Sequence, residues 1–161
     1  MRRLPLLLTA LALAGCGGSS TQTTTANAAA PPGPGTTLYA GGDWAVVLHG
    51  DEVTAFHRVA GGWKADTSGA VKIAILGPHP GQTVAAIPQL AAELSAKKPL
   101  IESGMWVDGK ELPVKGGGLK PTRGTIYGAP GVSLTKGKHV AVAYARTADH
   151  ATAVAWSFSV A

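Results

Sequence analysis

From residue 44 to the C-terminus, large apolar side chains alternate with small or polar ones over short stretches punctuated by Gly, Pro and Asp, which predicts strands. Residues 44–49 are followed by Gly50-Asp51, residues 53–59 by Ala60-Gly61-Gly62, and residues 63–66 by Thr67-Ser68-Gly69. Together these read as a three-stranded meander. Residues 70–76 form a further strand closed by Gly77-Pro78-His79-Pro80-Gly81. Residues 104–107 run into Asp108-Gly109, a hairpin dipeptide because both residues tolerate positive φ, and residues 110–114 return until Gly116-Gly117-Gly118 breaks the strand. Residues 125–127 make a short strand, and residues 139–146 and 151–160 close the chain as a hairpin across Thr147-Ala148-Asp149-His150. In the last strand Thr152, Val154, Trp156, Phe158 and Val160 alternate with Ala and Ser, so one face is large and apolar and belongs in a core.

Residues 87–98 fit two periods. Ile87, Leu90, Ala91 and Leu94 make a helical stripe, while Leu90, Ala92, Leu94 and Ala96 make an alternating strand. Intrinsic propensity favours the helix.

The first 37 residues follow neither period. Met1-Arg2-Arg3 precedes an apolar run over residues 4–13, then Ala14-Gly15-Cys16, the layout of an export signal. The run is far shorter than the ~20 residues a membrane-spanning helix needs. Leu13-Ala14-Gly15-Cys16 resembles the lipobox of bacterial lipoproteins. That resemblance implies cleavage between Gly15 and Cys16, a diacylglyceryl group on the Cys16 thiol, and attachment to the outer face of a cell membrane, inner or outer. Cys16 is the sole cysteine, so no intrachain disulfide is available. Two or three acyl chains, at ~0.8 kcal/mol per buried CH₂, give stable anchoring where one does not. Residues 17–37 contain no large apolar side chain to offset the entropy of ordering, so they read as a flexible tether. At ~5–6 Å × √n the tether spans on the order of 25 Å. The expected organisation is a signal peptide over residues 1–15, a lipidated cysteine and linker over 16–37, a β-meander over 38–69 and a β-sandwich over 70–161.

From about residue 71 the order of features resembles the immunoglobulin-like domains of bacterial surface proteins. The apolar strand with its Pro-Gly turn, Trp106-Val107-Asp108-Gly109, the Leu134-to-His139 element and the closing Trp156-x-Phe158-x-Val160 strand carry the resemblance. It implies an all-β fold, an immunoglobulin-like sandwich preceded by the meander, and places residues 89–97 in a strand. It also implies that Trp106 is the core tryptophan and that His139 stands at the corner position whose side chain bonds back to the preceding loop. A fold of this kind implies no activity.

Composition adds exclusions. The formal charge of +5 falls by two to +3 once Arg2 and Arg3 leave with the signal. The basic residues are scattered: only Lys97 and Lys98 are adjacent, and the loosest cluster, Lys110, Lys115, Lys120 and Arg123, is interrupted by Glu111. This reads as a solvated surface, with weak affinity for anionic headgroups or wall polymers as the other reading. Nothing indicates nucleic acid or a bound cofactor. No Gly-x-Ser-x-Gly, His-Glu-x-x-His or phosphate loop occurs, and the one thiol lies in the anchor, so the chain reads as non-enzymatic. His49, His57, His139 and His150 flank the first and last hairpins, and His79 lies in a turn, without the short spacings of metal ligands. A copper or zinc site on the first four is the alternative function. Trp44 and Trp63, if they share a face of the meander, are candidate contacts for an envelope protein or glycan, with burial over the sandwich as the other reading.

Overall fold

A computed structural model of the chain describes residues 34–161. Its strands are β1 (Thr36–Gly41), β2 (Trp44–His49), β3 (Glu52–Val59), β4 (Gly62–Ala65), β5 (Val71–Gly77), β6 (Thr83–Val84) and β7 (Leu90–Ala96). They continue with β8 (Glu102–Val107), β9 (Lys110–Glu111), β10 (Val114–Lys120), β11 (Arg123–Gly128), β12 (Gly137–Arg146) and β13 (Ala151–Val160). Among the described residues there is no helix.

Three sheets form, ordered β1-β2-β3-β4, β10-β11-β7-β5 and β6-β13-β12-β8-β9. An immunoglobulin-like sandwich places strands A, B, E and D in one sheet and C, F and G in the other. Taking β5, β7, β8, β10, β11, β12 and β13 as A to G reproduces both orders, with β6 parallel to the last strand and β9 extending the C side. The chain is therefore an all-β, immunoglobulin-like sandwich preceded by a meander.

Residues 87–98 resolve in favour of the strand. Leu90, Ala92 and Leu94 are buried, and the backbone of β7 pairs with β5 on one edge and β11 on the other. Two flanking strands satisfy every peptide group on both edges, which outweighs a helix propensity of a few tenths of a kcal/mol per residue.

The meander has four strands, one more than the sequence indicates. Thr36 and Thr37, assigned above to the linker, open β1, which pairs antiparallel with β2 from Thr36↔Leu48 to Gly41↔Trp44. Leu38 and Tyr39 pack inward, and they were too few to signal a strand by period alone. The glycine triplet also differs from expectation. Gly116 and Gly117 lie within β10, opposite Ile126 and Thr125, and the irregularity falls between Gly117 and Lys120. The actual break is Leu112-Pro113, where the chain leaves the β8–β9 hairpin for the other sheet. Proline has no N–H to give a ladder, and Leu112 is buried in the core at that crossing.

Two cores stack on the central five-stranded sheet. The first fills the sandwich with Leu90, Leu94, Met105, Ile126, Trp156 and Phe158, against which β12 presents only Ala141, Ala143 and Ala145. The second lies on the sheet's other side, where Trp44, Val46 and Ala55 of the meander meet Trp106, Val142 and Tyr144. Strand β13 turns its large side chains into the first core and its alanines, Ala151, Ala153 and Ala155, toward the second, so β3 approaches it closely. The meander is thus a third layer that covers the outer face of the sandwich.

Candidate functional site

Trp106 is on strand C, as the resemblance implied, but its ring points away from the sandwich interior. Met105 and Val107 take the inward positions, and alternation sends Trp106 to the meander side, where it is 2% exposed and edge-on to Tyr144 at 6.4 Å. Gly104 makes room for it: a Cβ there would stand 2.6 Å from the Trp106 ring.

The two meander tryptophans lie on opposite faces. Trp44 pairs with His57, and Trp63 pairs with the adjacent Arg58. Residues in register share a face and neighbours along a strand do not. Trp44 is buried against the sandwich and stacks on His57 with centroids 4.3 Å apart, so it presents no surface to a partner. Trp63 is half-buried on the outer face.

The four candidate metal histidines disperse. His49 is exposed opposite Glu52, five positions along β3 from His57, and its Nδ1 contacts the Pro34 carbonyl at 2.7 Å. His139 sits near the start of β12, and His150 in the turn beyond its far end. Among the described residues no three His, Cys, Asp or Glu side chains converge as a metal site. Cys16 and Gly15 lie outside the described residues.

Two recesses border His57, His139 and His150. The first, about 280 Å³, is bounded by His57, Lys64, Asp66, Ser68, Asp149 and His150, where the end of the meander meets the β12–β13 turn. Asp66 is its anchor. It accepts hydrogen bonds from the Ser68 N–H at 2.9 Å and the Ala151 N–H at 2.8 Å, with His150 Nδ1 3.3 Å away. Burial, the largest influence on this carboxyl, works to raise its pKa, but the bonds from Ser68, Ala151 and His150 together hold it below the ordinary carboxylate value.

The second recess, about 340 Å³, has walls from Val107, Leu112, Pro130, Val132 and Leu134, with His139 on its lining. His139 Nε2 faces the Thr135 carbonyl at 2.7 Å, the bond back to the preceding loop that the corner position implies. Its Nδ1 faces Asp108 Oδ2 at 2.6 Å. Asp108 holds φ of 49° in the β8–β9 turn, and its other oxygen accepts the Val140 N–H at 3.0 Å. A carbonyl and a carboxylate both accept, so the ring satisfies both only as an imidazolium. The hydrogen bond to Asp108 raises the His139 pKa above its ordinary value, against the opposing effect of burial. Sequence reasoning read Asp108 as a turn residue alone. Its second role joins positions 31 apart, and no local spacing signals it.

The chemistry of these recesses is mainly structural: the carboxylates and His139 tie loops and layers together, while the surrounding walls leave room for a small polar or apolar group. No protein-family model matches the chain, and no curated protein matches it. Among solved structures, a chain of the titin M10–obscurin-like 1 Ig complex is similar at a TM-score of 0.36 and 15% identity, over 56% of this chain and 95% of that one.

Proposed function

We propose that this protein is a non-enzymatic binding module held in the cell envelope by a lipid on Cys16, with the folded region displayed beyond the extracytoplasmic face of a membrane. The observation that carries the reading is the run from Arg2-Arg3 through the apolar stretch to Leu13-Ala14-Gly15-Cys16. The fold is compatible with display. Its third layer occupies one face of the sandwich, while the outward face of the β10-β11-β7-β5 sheet has no further layer of the described chain upon it. Support for a binding rather than catalytic role comes from Asp66, Asp108 and His139, whose polar atoms are engaged in holding the structure.

Fractionation of cells expressing the wild type and Cys16→Ser tests the anchor. The wild type is expected in the membrane fraction with a mature mass that includes acyl chains, and the variant is expected released or uncleaved. Identical fractionation and mass for the two proteins would reject the anchor.

A further inference from the structure

We propose that the outward face of the β10-β11-β7-β5 sheet docks a linear polyanion. The register builds this face from residues that look scattered in sequence. Lys72 on β5 is opposite Ser95 on β7, Ser95 is opposite Arg123 on β11, and Arg123 is opposite Lys120 on β10. Directly paired residues point to the same side, so Lys72, Ser95, Arg123 and Lys120 make one row across all four strands. At ~4.8 Å per strand the row is about 14 Å long. Lys115 stands on the same face, opposite Tyr127, two positions along β10 and β11 from the row that holds Gly117 and Thr125. Glu93 is the one carboxylate at the outward positions of these strands, and it pairs with Arg123, whose Nε lies 2.7 Å away. Among the described residues no carboxylate forms an ion pair with Lys72, Lys97, Lys115 or Lys120.

The row ends in a recess. A hollow of about 430 Å³ is lined by Lys72, Lys97, Ser95 and the chain from Ser68 to Ala70. Two ammonium groups and two hydroxyls around a hollow of that size suit one charged repeat unit, and the row suits the units that follow it. Between the cations the face carries Ala74, Ala91, Ser95 and Thr125, with Tyr127 beside them as a surface on which a sugar ring can stack.

These features favour a polymer over a bilayer. The recess is sized for a single charged unit rather than a plane of headgroups, and among the described residues the face carries no large aliphatic side chain at its centre, Leu76 being at its edge strand. The chain also joins the fold through β1, in the layer farthest from this face, about two sheet spacings or ~20 Å away. The polyanion names the partner class of the binding module proposed above and rests on that reading for its location.

The test titrates the purified full chain in detergent with inorganic polyphosphate at low and moderate salt. The variant Lys72→Gln/Lys97→Gln/Lys120→Gln is expected to bind about tenfold or more weakly, and the slope of log affinity against log salt to fall by about 0.7 per cation removed. A charge-matched control, Lys64→Gln/Lys110→Gln/Lys136→Gln, is expected to retain wild-type affinity. Equal loss in both variants, or no saturable binding by the wild type, overturns the proposal. In a second arm the full chain is placed in vesicles of phosphatidylcholine with or without phosphatidylglycerol, and lysine acetylation is mapped by mass spectrometry. Protection of Lys72, Lys97 and Lys120 only when polyphosphate is added supports the polymer. Protection by phosphatidylglycerol alone overturns it in favour of the membrane. Failure of the titration leaves the anchor untouched, since the Cys16→Ser fractionation reads that independently.

Discussion

His139 is the side chain whose protonation state the structure dictates most directly. Two acceptors, Asp108 and the Thr135 carbonyl, require two ring N–H groups. Because its folded pKa lies above the ordinary 6.5, the stability it contributes is complete below that value and is lost as pH climbs through the raised one. Asp66 has the opposite sign: its contribution is present above the ordinary 3.8 and disappears as pH falls through its depressed folded value. The urea midpoint is expected to peak between these limits, with a fall on the alkaline side of at most about 1.4 kcal/mol per pH unit for one proton. His139→Gln should remove that alkaline slope while leaving the acid slope. A slope that persists in His139→Gln would assign it to another group. At Gly104 the limit is steric. Gly104→Ala places a methyl against the Trp106 ring and is expected to lower stability by about 1–3 kcal/mol in denaturant unfolding, whereas an unchanged midpoint would mean the ring has room to move.

Between elements, the decisive contact is the meander against the central sheet. Trp106 supplies the largest side chain from the sandwich to that layer, beside Val142 and Tyr144. Trp106→Ala is expected to cost about 3–5 kcal/mol. The loss should appear first in hydrogen exchange of β1 to β4, while β7 and β11, which pack on the other core, keep their protection longer. Uniform loss across all three sheets would make the two cores a single cooperative unit. The last strand shows how far period alone reaches. The alternation of Val154, Trp156, Phe158 and Val160 identified the sandwich face, but it could not say that the alanines opposite would also be covered. Small residues are read as solvent-facing until a second layer is known. Trp106 is a core residue as expected, but on the meander side, because a strand with two buried faces gives no sign of which core each side serves.

For the whole molecule, the layer order places β1, the first described strand, and the basic sheet face on opposite sides. A modest formal charge is distributed unevenly, because one sheet collects lysines from β5, β7's following loop and β10 while leaving a single carboxylate among its outward positions. An electrostatic surface of this kind acts over about a Debye length, ~8 Å at physiological salt, so the proposed polyanion binding is expected only at close range and to weaken as salt rises.

The sequence by itself determined the strand-rich class, the closing hairpin of residues 139–160 and the Asp108-Gly109 turn, since each depends on neighbours within a few residues. The local pattern was equally legible at β13, whose period needs no partner to be seen. Residues 90–96 fit both periods, the resemblance placed them in a strand and pairing on both edges bears that out, whereas tertiary structure alone decided the fourth strand of the meander, the burial of Trp44 and the pairing of Asp108 with His139. It also gathered Lys72, Arg123 and Lys120 into one row. In each of these cases the deciding term is a contact between segments tens of residues apart. Cross-strand register sets such contacts, and no window along the chain contains both partners.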